Sequence, residues 1–543
     1  MKNEKKTIGR MLTSIVDKYY ERRALLFDDS FITYGELKKR SVILAYSFIK
    51  QGVKKDDKVA IIMDNRIEYV YAYFALFLIG AWVIPINIRY EADELRNVMR
   101  DSETSTVIYE KQIDNFDYLS VLQKLQNDLP CLQRHIVVSD EPIEDKIMFC
   151  SLLELHQNEH FEEVSAIVFK GEAEVDEDAV ALLAYTSGTT GNPKGVMMQH
   201  KNFVSISQSI DKIWQMTVNK GITFSVAPLY AAQGFMALLL ELLTGETIRW
   251  NSSFVPNEVI SYLKEKEITA FHTQPTFWNL ILSVPYIHHL DFTHIERCIV
   301  SGSICPPSLG KKITDLTGGT VLNAYGLVEG TCISTITRLD DSEDIRLNTI
   351  GRPIDGVEFK ILDEKSRKEV KKGNVGELAL RGYVMKGYYK KEEETKKVID
   401  EEGWLYTGDL VRYYDDENIA IVGRCKDMVV RGAFNVYPID IEECLLHFDK
   451  VEDVSVVGKP HPILGESLVA FVVPQPTATL TEGEVMKFCR GKVSNYKVPD
   501  DVIFVSQLPI LQSGKVQKNM LREWALNGVP KNRLLLFNNM ALG

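Results

Sequence analysis

The sequence predicts an α/β protein with a large N-terminal part and a small α+β domain behind it. Short runs rich in β-branched residues, such as residues 59–63, alternate with segments of helical spacing. One such segment is residues 91–100, in which Leu95, Val98 and Met99 fall on one helical face. Because strands that alternate with helices form parallel sheets with helices on their faces, we expect that architecture for most of the chain.

The pattern changes near Gly351, after which residues 358–362 and 377–381 are typical of antiparallel strands joined by charged turns. Beyond Lys426 the sequence predicts a compact α+β unit of roughly 100 residues, a usual domain size. Its expected elements are a helix at 439–448, strands at 454–457 and 468–473, a helix at 483–490 and a strand at 502–505. We therefore expect one domain at 1–424, a second at 425–526 and a tail at 527–543.

Length, composition and charge exclude several classes of function. The chain has 543 residues, of which 45% are hydrophobic and 25% charged, as in an ordinary globular protein of enzyme size. Its 63 Lys and Arg residues against 75 Asp and Glu residues give a net charge of -12, which disfavours nucleic acid as a partner. Eight cysteines without a C-x-x-C pair favour a reduced, cytoplasmic protein without a zinc site.

The apolar stretch at residues 69–86 is long enough to suggest a membrane span. Three tyrosines open it, Gly80 and Ala81 interrupt it, and Pro85 lies where a spanning helix would continue. A buried helix followed by a short buried strand fits these features better, so we expect no transmembrane segment. The N-terminus lacks the apolar core of a secretory signal.

Residues 185–195 (YTSGTTGNPKG) carry a motif suited to phosphate. Three glycines let backbone amides approach an anion, four Ser and Thr hydroxyls add donors, and a lysine supplies positive charge. The spacing differs from the G-x-x-x-x-G-K-[ST] of a Walker A loop, which excludes a P-loop ATPase. The expected phosphate-binding residues are Thr186, Ser187, Gly188, Thr189, Thr190, Gly191 and Lys194.

This loop and the motifs behind it resemble the adenylate-forming superfamily, which includes acyl-CoA synthetases, aryl-CoA ligases, carrier-loading adenylation domains and beetle luciferases. The resemblance covers nearly the whole chain. Its further elements, in the family's order, are residues 32–37 (ITYGEL), 80–87 (GAWVIPIN), 323–329 (NAYGLVE), 403–410 (GWLYTGDL), 423–427 (GRCKD) and 509–522 (PILQSGKVQKNMLR). The resemblance implies parallel α/β sub-domains and a distorted β-barrel, followed by a small mobile C-terminal domain.

The resemblance also implies a reaction in two halves. A carboxylate attacks the α-phosphorus of ATP with Mg²⁺, giving an acyl-adenylate and pyrophosphate, and the thiol of CoA or of a carrier protein's phosphopantetheine then takes the acyl group. Lys515 would bridge the substrate carboxylate and the α-phosphate, and Glu329 would be the magnesium ligand. Lys426 would be the hinge of the small domain.

Further nucleotide contacts are implied in the same way. Tyr325 would stack on adenine, Asp409 would accept hydrogen bonds from both ribose hydroxyls, and Arg424 would donate to the ribose. From composition alone, Tyr325 fits core packing equally well and Arg424 a surface charge. The remaining expected contacts with the nucleotide are Gly302, Ser303, Ile304, Asn323, Ala324 and Gly326.

Two departures from the family pattern lie at the α-phosphate and beside the acyl pocket. Val328 stands where a threonine normally touches the α-phosphate, and Tyr230-Ala231 replaces a phenylalanine–histidine pair of many acyl-CoA synthetases. We expect Tyr230, Ala231, Gly234 and His272 at the acyl pocket. The apolar and aromatic residues around them predict a fatty or aryl acid, although His272 fits a satisfied core histidine equally well.

Three interpretations remain open at this point. The first is an ATP-dependent acid–CoA ligase, the second a stand-alone enzyme that loads a carrier protein, and the third a nucleotide-binding relative that no longer catalyses. The presence of Lys515, Glu329, Asp409 and Arg424 favours a catalytic protein, because these residues supply the charge that the chemistry needs.

Overall fold

The computed structural model describes residues 5–28, 30–139, 141–154, 160–186, 193–215, 221–252, 254–432, 434–476, 478–510 and 516–535. Within these ranges the chain forms two large sheets with helices packed on them, a smaller antiparallel sheet, and a C-terminal unit with a sheet of its own. The predicted α/β class is therefore confirmed.

Strands and helices alternate over the first 215 residues. The strands are β1 (Arg23–Phe27), β2 (Ser30–Thr33), β3 (Lys58–Ile62), β4 (Trp82–Pro85), β5 (Thr106–Glu110), β6 (Gln112–Ile113), β7 (Phe116–Asp117), β8 (Arg134–Val138), β9 (Ile147–Met148), β10 (Val180–Thr186) and β11 (Lys194–Gln199). The helices are α1 (Ile8–Tyr19), α2 (Tyr34–Lys50), α3 (Ile67–Ile79), α4 (Ala92–Asp101), α5 (Tyr118–Leu125), α6 (Phe149–Glu154), α7 (Phe161–Glu172) and α8 (His200–Trp214).

The alternation continues to residue 353. The strands of this part are β12 (Ile222–Ser225), β13 (Thr247–Trp250), β14 (Ile268–Thr273), β15 (Arg297–Ser301), β16 (Thr320–Tyr325), β17 (Thr335–Ile336) and β18 (Arg352–Pro353). The helices are α9 (Ala232–Leu242), α10 (Pro256–Leu263), α11 (Pro275–Leu282), α12 (Pro307–Thr317) and α13 (Glu343–Asn348).

The remaining elements are mostly antiparallel strands. The strands are β19 (Glu358–Leu362), β20 (Gly376–Arg381), β21 (Gly387–Tyr388), β22 (Leu405–Tyr413), β23 (Ile419–Arg424), β24 (Val429–Arg431), β25 (Phe434–Val436), β26 (Val451–His461), β27 (Gly465–Pro474) and β28 (Asp501–Phe504). The helices are α14 (Glu392–Val398), α15 (Pro438–Leu446), α16 (Glu482–Cys489) and α17 (Lys518–Asn527).

Both large sheets are parallel in their centres; the first is antiparallel at both edges, and the second is antiparallel at the β21-β11-β10 edge and parallel at the β8-β9 edge. The first has the order β18-β17-β16-β15-β14-β12-β13-β1-β2 and the second β21-β11-β10-β4-β3-β5-β8-β9. In the first sheet β14, β15 and β16 are parallel neighbours, with Thr273 opposite Val300 and Ser301 opposite Ala324. The carboxyl ends of these three strands therefore lie side by side, which is where parallel sheets usually bind ligands.

The apolar stretch at 69–86 is a buried helix and strand, as predicted. Helix α3 is buried on every side from Tyr69 to Ile79, and it ends at Gly80, whose φ of 78° places it in the left-handed region that glycine tolerates. Strand β4 then ends at Pro85. No helix in the described ranges combines the length and the apolar character needed to cross a bilayer.

The antiparallel strands predicted after Gly351 are present as the sheet β19-β20-β22-β23, with Glu358 opposite Arg381. The C-terminal unit has the sheet β25-β24-β27-β26, and β28 pairs with β27. The hairpin of β26 and β27 is longer than predicted, because its ladder continues through polar residues such as Lys459 and Glu466 that lie outside the apolar runs. A separate C-terminal domain is thereby confirmed, with its own apolar core.

Candidate active site

Three residues predicted to bind the nucleoside lie in contact. Asp409 on β22 is directly opposite Arg424 at the end of β23. Its Oδ1 accepts a hydrogen bond of 2.7 Å from Arg424 Nε, and its Oδ2 accepts one of 2.6 Å from the hydroxyl of Tyr325, the last residue of β16. The small antiparallel sheet thus meets the carboxyl end of the large parallel sheet at this carboxylate.

Asp409 keeps acceptor capacity after these two contacts. An ionised carboxylate has about four lone-pair positions, of which Tyr325 and Arg424 use two. Asp409 is only 6% exposed, so a further hydrogen-bond donor to this carboxylate must be part of a molecule that binds within the site. The pKa of Tyr325 is raised well above its usual value, mainly by burial and to a smaller extent by the negative charge of Asp409. The phenol therefore remains protonated and donates its hydrogen bond to Asp409.

A second group connects the predicted magnesium ligand to the predicted phosphate-binding lysine. Glu329 Oε1 accepts a hydrogen bond of 3.0 Å from the hydroxyl of Tyr388. Lys194 Nζ lies 5.0 Å from the centre of the same tyrosine ring and 2.7 Å from Glu394 Oε2. Hydrogen bonds from Lys194 and Lys397 lower the pKa of Glu394 to about 2, so this carboxylate stays charged near neutral pH.

Neither Tyr388 nor Glu394 was assigned a role from the sequence. Gly387 and Tyr388 form strand β21, which pairs with β11 and brings Tyr388 opposite Val196. That pairing joins segments almost two hundred residues apart, and local spacing carries no signal for it. Glu394 stands in a run of three glutamates, from which no pattern selects one.

The phosphate-binding segment is described only at its two ends. Thr186 and Lys194 face each other at the ends of the antiparallel pair β10 and β11. The remaining predicted members of this segment lie outside the described residues: Ser187, Gly188, Thr189, Thr190 and Gly191. The predicted catalytic residue Lys515 lies outside them as well. On either side of the Lys515 segment, Ile510 and Val516 form an antiparallel bridge.

The predicted adenine-binding residues lie at the ends of β15 and β16. Gly302 follows β15 with a φ of 85°, Ser303 is half-buried, and Ile304 is 40% exposed. Ala324 is buried in β16. A Cβ atom on Gly326 would lie 1.9 Å from the carbonyl oxygen of Cys332, so this close backbone approach requires glycine.

Asn323 stabilises the packing of neighbouring backbone against β16, in addition to any contact with adenine. Its Nδ2 donates hydrogen bonds to the carbonyl oxygens of Arg346 at 2.8 Å and Thr349 at 3.2 Å, and the residue is buried. These bonds hold α13 and the turn after it against β16.

The predicted hinge residue, Lys426, is exposed and lies in a 3₁₀ turn formed by Cys425–Asp427. Arg522 of α17 donates hydrogen bonds to the Lys426 carbonyl oxygen at 3.3 Å and to Asp427 Oδ1 at 2.5 Å. The turn is therefore tied to the helix that follows the Lys515 segment.

The four residues predicted at the acyl pocket lie near the amino end of α9 and the carboxyl end of β14. Tyr230 and Ala231 are half-buried just before α9, and burial raises the pKa of Tyr230 to about 12. Gly234 is buried, and a Cβ there would lie 2.1 Å from the Pro228 carbonyl oxygen. His272 is buried at the end of β14, where burial lowers its pKa to about 4 and keeps it neutral.

His272 belongs to a polar chain that the sequence did not indicate. Its Nε2 lies 2.9 Å from Ser301 Oγ, which accepts a hydrogen bond of 2.7 Å from Gln233 Nε2. Gln274 Nε2 in turn donates to Gln233 Oε1 at 2.6 Å. This chain lies beside Gly302, because a Cβ on that glycine would be 2.4 Å from Gln233 Oε1.

A divalent cation bound at this site would be coordinated by one protein carboxylate, and its other ligands would come from the substrate. Across the described ranges no three His, Cys, Asp or Glu side chains are grouped so as to hold a metal ion. Magnesium commonly binds through one or two carboxylates together with phosphate oxygens and water. The Glu329 carboxylate fits that donor set, since its hydrogen bond from Tyr388 occupies only Oε1.

Comparisons with known proteins agree with this arrangement. The sequence model of the AMP-binding enzyme family matches residues 12–389, and that of the AMP-binding enzyme C-terminal domain matches residues 440–515. The 3-[(3aS,4S,7aS)-7a-methyl-1,5-dioxo-octahydro-1H-inden-4-yl]propanoyl:CoA ligase of Rhodococcus jostii is 32% identical, over 96% of this chain and 99% of its own. The human mitochondrial medium-chain acyl-CoA ligase ACSF2 is 27% identical, over 95% of this chain and 87% of its own.

A solved structure shows the same fold. The anthranilate CoA ligase AuaEII, crystallised with anthranoyl-AMP, superimposes with a TM-score of 0.86 over 96% of this chain and 98% of its own, at 22% identity. The predicted fold and enzyme class are confirmed by these comparisons. The chain therefore belongs to the AMP-binding enzyme family and, within it, is an AMP-forming acid–CoA ligase of the acyl-CoA synthetase type.

Proposed function

We propose that this enzyme activates a carboxylic acid with an apolar body, using ATP and Mg²⁺, and transfers the acyl group to CoA. The observation that carries the proposal is the Asp409 carboxylate, held between Tyr325 and Arg424 with acceptor positions left for a ribose. In the first step a carboxylate oxygen bonds to the α-phosphorus and pyrophosphate leaves. In the second the CoA sulfur bonds to the acyl carbon and AMP leaves.

Binding of the nucleoside follows from the contacts at Asp409. Its two remaining lone-pair positions accept the ribose hydroxyls, while Arg424 balances its charge. The ring of Tyr325 is kept in place by its hydroxyl, which is bonded to the same carboxylate, and offers a face for adenine. Because these partners are already hydrogen-bonded to one another, little reorganisation is needed when the nucleotide binds.

Binding of the phosphates requires a change of partner for Lys194. Its Nζ is 2.7 Å from Glu394, and we propose that it leaves this carboxylate for the phosphate oxygens when ATP binds. Glu329 would hold Mg²⁺ through the oxygen that Tyr388 does not occupy, and the cation would neutralise phosphate charge. Tyr388 contacts the side chains of both Glu329 and Lys194, so it fixes the position of the cation site relative to the lysine.

Lys515 is proposed to stabilise the charge that develops between carboxylate and α-phosphate. Lys515→Ala should abolish acid-dependent pyrophosphate release while ATP binding is largely retained. Lys531→Ala, at an exposed lysine beyond α17, is the matched control and should leave both measurements unchanged. An unchanged rate of adenylation in Lys515→Ala would contradict this assignment.

The acid is proposed to be fatty, aryl or alicyclic. Phe235 and Met236, directly after Gly234 on α9, are apolar and buried, and the predicted pocket residues Tyr230 and Ala231 carry no charge. The Rhodococcus relative is named for a bicyclic propanoyl substrate, which has an apolar body of this kind. An apolar pocket distinguishes neighbouring chain lengths weakly, by about 1–3 kcal/mol per methylene.

The proposal is tested with a panel of straight-chain, aryl and alicyclic acids assayed for pyrophosphate release. Thioester formation is measured in parallel with CoA and with a phosphopantetheinylated carrier protein. We expect a CoA thioester from at least one acid. Thioester formation only with the carrier would overturn the choice of CoA, and no ATP-dependent product from any acid would overturn the function.

The cytoplasmic location stays a prediction. It is supported by the eight cysteines, all of which are free thiols, as is usual in a reducing compartment.

A further inference from the structure

The polar chain beside Gly302 ends in an unused hydrogen-bonding position. Gln274 donates to Gln233, Gln233 donates to Ser301, and the Ser301 hydroxyl meets His272, with separations of 2.6, 2.7 and 2.9 Å. Gln274 Oε1 has no hydrogen-bond partner among the described residues, although Gln274 is only 4% exposed. Buried polar side-chain atoms in folded proteins usually have a hydrogen-bond partner, which the protein, water or a bound molecule can supply.

The unused position does not depend on how the two amides are turned. If both amides are reversed, Ser301 donates to Gln233, Gln233 donates to Gln274, and the Gln274 NH₂ group takes the place of the unpaired oxygen. Either way, one hydrogen-bonding position of Gln274 stays open. A hydroxyl group fills it in both cases, because a hydroxyl both donates and accepts.

The chain lies where the body of the acid is expected. Gln233 stands between Ala231 and Gly234 at the start of α9, and Gln274 immediately precedes α11. Gln233 also packs against Gly302, the first residue of the predicted adenine-binding segment. The two amides therefore lie on the acyl side of the nucleotide site.

We propose that Gln274, positioned by Gln233, selects acids that carry a hydroxyl group on their apolar body. This inference rests on the proposed acid–CoA ligation and adds the chemical class of the acid. A buried site that offers a hydrogen bond rejects the analogue that lacks the group, because the site is then left unpaired. One such bond should give the hydroxylated acid about a tenfold or greater advantage in kcat/KM.

The test uses pairs of acids that differ by one hydroxyl group. Hydrocinnamic acid is compared with its ortho-, meta- and para-hydroxy derivatives, and octanoic acid with its hydroxy derivatives at each carbon from the third to the last. For each acid, kcat/KM for pyrophosphate release is measured in the wild-type enzyme, in Gln274→Leu and in Gln208→Leu. Gln208 is an exposed residue of α8 and provides the matched control.

We expect at least one hydroxy acid to be preferred about tenfold by the wild type and by Gln208→Leu, and the preference to disappear in Gln274→Leu. The variant should retain activity on the unhydroxylated acid, which also shows that it folds. Gln233→Leu is a second variant with the same expected loss, because it removes the partner that positions Gln274.

Three results would overturn the inference. They are the absence of any preferred hydroxy acid in the wild type, a preference that survives in Gln274→Leu, and loss of activity on every acid in both leucine variants, which would make the amides purely structural. In each case activity of the wild type on unhydroxylated acids would leave the proposed function intact. No pyrophosphate release from the wild type with any acid would instead overturn the proposed function and this inference with it.

Discussion

Replacing Asp409 with asparagine changes the charge and hydrogen-bonding capacity of the proposed ribose site while keeping its shape. The carboxylate accepts from Tyr325 at 2.6 Å and from Arg424 at 2.7 Å. Asparagine has one acceptor oxygen, and its NH₂ group replaces the other oxygen with a donor. The variant therefore cannot keep both protein contacts and also accept from two ribose hydroxyls.

The size of the effect follows from these contacts. A hydrogen bond to a charged group contributes about 1.5–3 kcal/mol, and the variant loses one such bond to the ribose and weakens the other. We expect a loss of about 2–3 kcal/mol in ATP recognition, which is roughly a 30- to 150-fold fall in kcat/KM for ATP. The effect on folding should be smaller, within about 1 kcal/mol, because the Arg424 side chain is 46% exposed and solvent screens the pair.

The assay is acid-dependent pyrophosphate release with ATP and with its 2′-deoxy analogue. With the deoxy analogue, kcat/KM of the wild-type enzyme should fall roughly tenfold. The fall in Asp409→Asn should be smaller, because its hydrogen bonding to the ribose is already impaired. Asp416→Asn is the matched control: Asp416 lies in the turn of the same hairpin, is exposed, and binds Lys372 at 2.6 Å. Equal penalties for the deoxy analogue in the wild type and in Asp409→Asn would refute the ribose assignment.

Three further predictions concern other titratable groups. Glu394→Gln removes the carboxylate that competes for Lys194 and should lower the Kd for ATP in titration calorimetry, so an unchanged Kd would contradict the exchange of partners. Tyr388→Phe removes the hydroxyl that orients Glu329 and should raise the Mg²⁺ concentration for half-maximal rate, with little change at saturating Mg²⁺. Burial raises the pKa of Glu241 to about 8, so between about pH 4.5 and about pH 8 the folded state keeps a proton that the unfolded chain releases. The free energy of unfolding therefore falls as the pH rises through this range. In thermal unfolding, Glu241→Gln should therefore gain in Tm relative to the wild type between about pH 5 and about pH 9, and parallel curves would contradict the assignment.

Several features of the fold could be predicted because their signal is local. The stretch at 69–86 contains its own breaks, Gly80 and Pro85, so its division into α3 and β4 followed from the order of residues alone. The helix α4 was visible from the spacing of its buried face, Leu95, Val98 and Met99. Periods of hydrophobicity and chain-breaking residues act over a few positions, which is the range that sequence patterns report.

The resemblance to a family made it possible to predict functional residues as well as local structure. It selected Tyr325, Asp409 and Arg424 as neighbours of one nucleoside, and the structure brings these three side chains into contact. The sequence offered no reason to connect β16 with β22 and β23, since residues 325 and 409 are 84 positions apart. Their contact depends on how the antiparallel sheet packs on the parallel one.

The class of fold, the buried nature of the apolar stretch, the domain with its own sheet and the candidate nucleotide residues were accessible from the order of amino acids. The partners of those residues were not. Tyr388 reaches Glu329 because β21 adds to β11, and Gln274 reaches Gln233 because two helices begin at neighbouring strand ends. Strand order and the packing of sheets decide such contacts, and these arise from the burial of whole faces rather than from any local pattern.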